Sequence, residues 1–346
     1  MINSAEKPTP SATATIIIGV RNAGCGVDSM ATRLLEAVGG SGVDAVVIDD
    51  GSTDGTGEAL AAAFDGSPSI TLVRHAESAG IAARRNEALR LARGELIWFV
   101  DHDDEWSGAG LATLLANAGG ADVVFARADF AWGPGAGDRR LVDGVADAEP
   151  RTIPREAGAR MIIDGTIHGF LWSKLFRRAV LGVDPFPLQV SQSDIVGVAR
   201  AVEAARAIRV IPDVVYVYRR QPGSITRSRT PDIRALASAH DSVLGLLGSF
   251  ATAAGRDTFT ARFLCLAAVN TAVRWGVPRP VMRETVRAAS GWARPLDLRA
   301  VAGRSRPLAA AMSLLKVAPP LLPVALRTAL GTLDALRSLR SLVART

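Results

Sequence analysis

Short apolar, β-branched runs alternate with stretches of helical spacing, and this alternation limits the chain to few folds. TATIIIGV (13–20) and VDAVVID (43–49) suit buried strands. Between them, DSMATRLLEAV (28–38) spaces Met30, Leu34, Leu35 and Val38 as one helix face, with Asp28 as the expected cap. The pattern continues with a helix at GTGEALAAAF (55–64), a strand at SITLVRH (69–75) and a helix at GIAARRNEALRLARG (80–94) closed by Gly94. A strand at ELIWFV (95–100), a helix at LATLLANA (111–118) and a strand at ADVVFARADF (121–130) follow. Strands separated by helices form a mostly parallel, doubly wound α/β sheet, which binds ligands at the carboxyl ends of its strands.

From Trp132 to Pro154 the chain is rich in Gly, Pro and Asp and reads as a long loop. Beyond it lie HGFLWSKLFRRAVL (168–181), a helix at SDIVGVARAVEAAR (193–206) and a strand at IRVIPDVVYVYRR (208–220). After Thr230 the strand signals vanish and alanine and leucine dominate. The expected organisation is a loose tail over 1–12, an α/β domain over 13–230 and a helical C-terminal region over 231–346. A chain of 346 residues, 48% hydrophobic, is long enough for a full core and such an appendage. The polar start MINSAEKPTPSATA has no apolar stretch of the signal-peptide kind. Cys25 and Cys265 are too few for a disulfide framework or a cysteine metal site, so a reducing cytoplasm is expected.

Two acidic clusters stand where that fold wants a ligand. GELIWFVDHDDEW (94–106) spends a strand on delivering Asp101, Asp103, Asp104 and Glu105 to one point. Such carboxylates repel unless solvent or a cation lies among them. They offer hard oxygen ligands for Mg2+ or Mn2+; the alternative is an acidic turn capping the next helix. IDDGSTDGT (48–56) brings Asp49 and Asp50 to a second strand end, where carboxylates can accept from a base N–H or ribose hydroxyls. There Ser52 and Asp54 are expected to make turn and cap bonds. In SAGIAARRNEALRLARGE (78–95) small residues lead into a helix carrying Arg84 and Arg85, where a phosphate could sit.

In this order the three segments resemble the family-2, GT-A-fold inverting nucleotide-sugar glycosyltransferases. The resemblance covers roughly residues 13–226 and includes GFLWSKLFRRAVL and the helix and strand after it. It implies a GT-A, Rossmann-like mixed sheet flanked by helices. It also implies Asp49, Asp50, Arg85 and Asp101 binding the donor, Asp101, Asp103 and Asp104 at the metal, and Asp194 as general base. The chain departs from the family pattern at Ser193, where a Glu usually precedes that Asp, at Ser173 for Asn, at His102 within the acidic motif and at GVRN (19–22). Arg219 and Arg220 are candidates for closing on the diphosphate from a loop hinged at Gly223. Trp172 and Lys174 are candidates for the acceptor side, although core packing accounts equally for the tryptophan. His168 reads as structural.

The implied function is metal-dependent transfer of a sugar from a nucleoside-diphosphate sugar to a glycan or lipid-linked acceptor, with inversion, in polysaccharide or glycoconjugate synthesis. A non-catalytic nucleotide-sugar-binding module is the alternative, because of Ser193. A haloacid-dehalogenase-type phosphatase would need its nucleophile near the first strand, and a receiver domain its acidic pair there; the first strand ends in VRN. The net charge of +6 is uneven: residues 279–346 hold twelve Lys/Arg against three Asp/Glu. ALRTALGTLDALRSLRSLVAR (325–345) suits either an anionic membrane surface, placing the protein on the inner face of the plasma membrane, or a helix packed on the protein. Prolines interrupt 307–326, which argues against a span. The basic tail lacks interleaved aromatics, so no nucleic acid is expected.

Overall fold

The computed structural model describes residues 12–39, 42–132, 139–145, 149–220 and 232–330. It divides into two compact units, Met1–Pro222 and Gly223–Thr346.

The strands of the first unit are β1 (Ala12–Val20), β2 (Val43–Asp49), β3 (Ile70–Arg74), β4 (Gly94–Asp101), β5 (Glu105–Trp106), β6 (Val123–Trp132), β7 (Arg139–Asp143), β8 (Arg151–Pro154), β9 (Lys174–Arg177) and β10 (Ala207–Arg220). Its helices are α1 (Val27–Val38), α2 (Thr56–Ala63), α3 (Ile81–Leu91), α4 (Gly108–Ala116), α5 (Arg155–Asp164), α6 (Arg178–Leu181) and α7 (Ser193–Ala204). One sheet runs β3-β2-β1-β4-β9-β6-β10-β5, with β7 on β6 and β8 on β10. The pairs β1/β2, β2/β3, β1/β4 and β6/β10 are parallel. Because β9 opposes both β4 and β6, β6 and β10 run with β1 to β4. The sheet is therefore mixed and mostly parallel, as the α/β reading expected.

Burial on both faces explains the unbroken apolar runs of the central strands. Ile16, Ile18, Val47, Trp98 and Val100 join Met30 and Leu34 of α1 and Leu111 and Leu114 of α4 in one core. The alternate residues Ile17, Val46, Ile97 and Phe99 are buried too, and Phe99 meets Phe176 and Phe186 edge-on.

Three local expectations change. The N-cap of α1 is Gly26, and Asp28 lies in the first turn. Gly94 opens β4 instead of closing α3: a Cβ there would collide with the Ala14 and Thr15 backbone, so close packing of β4 on β1 requires glycine. The expected loop of 132–154 contains β7 and β8, whose signals are too short and too polar to stand out; residues 133–138 and 146–148 lie outside the described residues. Pro212, inside β10, sits where the register to β6 shifts between Val210 and Val214, a bulge that tolerates the missing N–H.

Among the described residues, the second unit is helical. It comprises α8 (Ile233–Leu247), α9 (Ala253–Phe259), a π-helical stretch (Thr260–Leu266), α10 (Ala267–Trp275), α11 (Arg279–Ala293), α12 (Leu298–Arg304) and α13 (Arg306–Val317). Side chains of Asp232, Thr252, Asp297 and Ser305 cap α8, α9, α12 and α13. A further helix runs from 321 to 330, after Pro319 and Pro320. Cys265, Val269, Ala289, Val301 and Met312 centre its core. No helix among the described residues is long and apolar enough to cross a membrane. Most of the amphipathic stretch 325–345 lies outside them.

Candidate active site

Strand register brings the acidic clusters together. In the sheet Val20 pairs with Asp49 on one side of β1, and Gly19 pairs with Asp101 on the other. Two strand spacings put the carboxyl ends of β2 and β4 about 10 Å apart around the end of β1. That is the crevice where the strand order reverses.

The β2 end is tied down by its own loop. The Asp49 carboxylate accepts from the Ser52 N–H at 3.0 Å, and Asp54 accepts from the N–H groups of Thr56 (3.1 Å) and Gly24 (3.0 Å). Asn22 crosses over, its N–H donating to Ser52 Oγ and its Oδ1 accepting from the Thr53 N–H. Asp50 is buried under four donors: Ser78 Oγ–H (2.6 Å), the N–H groups of Ala79 (2.8 Å) and Gly80 (3.0 Å), and Arg84 Nε–H (2.6 Å). Burial raises its carboxyl, but these bonds outweigh that and leave it below the ordinary range. Asp50 thus fastens the loop ahead of α3, and neither oxygen is left open for a ribose.

The turn after β4 is pinned from several directions. The Asp101 N–H donates to the Tyr216 hydroxyl at 3.2 Å, and Trp106 Nε1–H donates to the Asp101 carbonyl at 3.1 Å. Arg33 donates to the Asp104 carbonyl at 2.6 Å and lies over the Trp106 ring, 5.2 Å from its centroid. Asp104 turns inward: its Oδ2 accepts from Tyr216 O–H (2.6 Å) and its Oδ1 from the Arg219 N–H (2.8 Å). Burial, reinforced by the Asp101 charge, pushes its carboxyl up to about 8. Asp104 is therefore a fastener of the turn, and its neighbours Asp101 and Asp103 are half-buried. Ser107, and no residue of the acidic turn, caps α4. No group of three or more His, Cys, Asp or Glu among the described residues converges as a ready-made metal site. A Mg2+ or Mn2+ ion that takes one or two carboxylates and fills its shell with phosphate oxygens and water fits what Asp101 and Asp103 present.

Arg85 links this turn to α7. Its guanidinium, 8% exposed, donates to Asp101 Oδ1 at 3.1 Å and to Asp194 Oδ1 at 2.5 Å. Asp194 lies in the first turn of α7, keeps about a third of its side-chain surface open (34%) and also accepts from Ser193 Oγ–H at 3.2 Å. Desolvation and the neighbouring Asp101 raise its carboxyl above the ordinary range despite Arg85 and Ser193. Its oxygen is thus engaged by side chains 109 and one positions away along the chain.

Other candidates sit elsewhere. Trp172 is buried and stacked on Tyr216, its carbonyl accepting from Trp98 Nε1–H at 2.9 Å. Lys174, 1% exposed, donates to Asp143 (2.6 Å), the Phe170 carbonyl (2.7 Å) and Ser173 Oγ (3.0 Å). Both side chains belong to the core and present no surface to an acceptor. Arg219 pairs with Glu105 at 2.6 Å. The side chain of Arg220, and Gly223, lie outside the described residues. Sequence reasoning missed Tyr216, whose hydroxyl fastens the acidic turn. Its signal was the alternation of YVY, which puts Tyr216 and Tyr218 on one face of β10.

With this geometry in place, similarity to known proteins is informative. Residues 15–182 match the model of the glycosyl transferase family 2. The succinoglycan biosynthesis protein ExoU of Rhizobium meliloti (strain 1021) is 33% identical over 246 residues, 66% of this chain and 68% of ExoU. EpsH of Bacillus subtilis (strain 168), named as a glycosyltransferase, is 26% identical over 193 residues, 54% of each chain. Among solved structures, S. aureus TarS 1-349 in complex with UDP-GlcNAc superposes with a TM-score of 0.68 at 18% identity, covering 92% of both chains. That likeness concerns the fold.

Proposed function

The chain belongs to glycosyl transferase family 2 and is a glycosyltransferase, and from that premise we propose that it moves a sugar from a nucleoside-diphosphate donor to a hydroxyl of a glycan or lipid-linked acceptor, with inversion, in polysaccharide synthesis. The observation that carries this reading is the Arg85 bridge, one buried cation engaging Asp101 at the strand end and Asp194 on α7. That pairing supports a single site combining a donor-side carboxylate, a cation suited to a diphosphate and a carboxylate for proton transfer. ExoU is named for succinoglycan biosynthesis and TarS was solved with UDP-GlcNAc, which supports the polysaccharide context and the donor class.

In this reading Asp49, at the end of β2, would meet the base or ribose, and Asp101 and Asp103 would hold Mg2+ or Mn2+. When bound, the cation would neutralise charge growing on the leaving diphosphate. Arg85 exchanges part of its pairing with the two carboxylates for the incoming phosphates. Asp194, its carboxyl raised toward the working range of a base, takes the acceptor proton as the hydroxyl attacks the anomeric carbon from the face opposite the leaving group. The exposed Val317, Leu321, Val324 and Arg327 support a peripheral contact of the second unit with anionic lipid. Flotation with anionic vesicles at low salt, lost at high salt, checks that contact.

The test of the donor site is calorimetric titration with UDP-, GDP- and dTDP-sugars, with and without Mn2+, of the native protein and Asp103→Ala. Metal-dependent binding of one nucleotide sugar that disappears in Asp103→Ala is expected. Absence of binding by every nucleotide under either condition overturns the reading.

A further inference from the structure

The aromatic stack that holds the acidic turn has a second end. Tyr216, Trp172, Phe170 and His168 lie ring on ring, with successive centroids 4.8, 4.6 and 5.8 Å apart and planes inclined by 6°, 12° and 29°. Tyr216 and Trp172 are sealed in the core and Phe170 is half-buried, whereas the His168 side chain is 51% exposed. The stack therefore ends in an open ring face.

That face is held in place. The His168 N–H donates to Asp143 Oδ1 at 2.7 Å, and the ring Nδ1 lies 3.5 Å from the same oxygen. Asp143 is fixed in turn by Ser173 Oγ–H at 2.5 Å and Lys174 at 2.6 Å. The next residue, Gly169, lies so close to Ile195 that a Cβ on it would collide with the Ile195 Cα and Cβ. Ile195 follows Asp194, so the open end of the stack stands beside the first turn of α7.

We propose that the exposed face of His168, backed by Phe170, is the platform for a sugar ring of the acceptor. This rests on the reading of Asp194 as the base. A pyranose has one face of C–H groups that covers an aromatic ring and a rim of hydroxyls that needs polar partners. His168 matches both: its face is apolar, and its Nε2 has no partner among the described residues and is left for a hydroxyl. A lipid tail would gain nothing from that polar edge. The buried Asp143–Lys174 pair then has a purpose at the surface, since it holds the loop 168–170 against α7.

The experiment is binding to an array of gluco-, galacto-, manno- and N-acetylglucosamine-containing di- and trisaccharides. The proteins compared are native, His168→Ala, Phe170→Ala and His168→Tyr, each checked for an unchanged melting transition. The native protein should retain at least one glycan, His168→Ala should weaken that binding by about tenfold or more, and His168→Tyr should restore most of it. His168 lies at the open end of the stack, so its variants test the idea even where Phe170→Ala unfolds. Retention of no glycan by the native protein, or equal retention by His168→Ala, overturns the proposal. So does a loss of UDP or GDP affinity in His168→Ala with glycan retention intact, which would put the stack on the donor side. Glycan capture that depends on His168 in a protein that binds no nucleotide sugar would keep the platform and sink the donor reading instead.

Discussion

Two single residues separate chemistry from architecture in this protein. Asp194 has a partly open carboxylate, a raised carboxyl and a hydrogen bond from the Ser193 hydroxyl. Asp194→Asn keeps the shape and removes the proposed base, so sugar transfer should fall by about 10²- to 10⁴-fold while nucleotide titration persists. Single-turnover assays beside calorimetry check this; equal activity of the variant would remove Asp194 from the mechanism. Lys174 is the opposite case, a buried ammonium with three acceptors. Lys174→Met leaves Asp143 charged and unpaired in the core, which should cost about 3–5 kcal/mol, read as a lowered urea midpoint. Asp50 and Asp104 show how residue type alone misleads. Each carries the carboxylate that a donor or metal site needs, and each spends it on hydrogen bonds that shape a loop.

The elements of the first unit are set by close approach as much as by propensity. Gly94 lets β4 lie against β1 at the point where their pairing begins. Gly94→Ala should therefore destabilise the sheet by about 1–3 kcal/mol, because the obstacle is backbone and cannot rotate away. Chemical denaturation followed by near-ultraviolet circular dichroism measures it. Gly110 plays a similar part in α4, where a Cβ would stand 2.6 Å from the Val215 carbonyl oxygen of β10. That approach lets α4 cover the strand carrying Tyr216. The helix boundaries follow ordinary capping, with Ser107 rather than an acidic residue starting α4.

Across the whole molecule, pH acts through the buried Asp143–Lys174 pair beneath the loop 168–170. Burial raises the Asp143 carboxyl, but Lys174 and the bonds from His168 outweigh it and hold it at about 2, below its ordinary 3.8. A carboxylate held below its unfolded value stabilises fully above that value and loses its contribution as pH falls through the folded one. The first unit should accordingly lose about 2 kcal/mol between roughly pH 4 and pH 2. Asp143→Asn, less stable throughout, should show a flatter acid limb in urea midpoints measured across that range. The sequence by itself determined the alternating α/β fold, the helical character beyond residue 230 and the positions of both acidic clusters, because hydrophobic period and strand-end placement are local properties. The family-2 resemblance came from the order of three such local segments. Tertiary structure alone decided that Asp50 and Asp104 spend their carboxylates on the fold, because Arg84 and Tyr216 claim them from distant segments. It alone brought Asp194 to Arg85, 109 residues away. It also turned Lys174 inward and His168 outward, since burial is a property of the packed fold and neither residue carries a sign of it in the sequence.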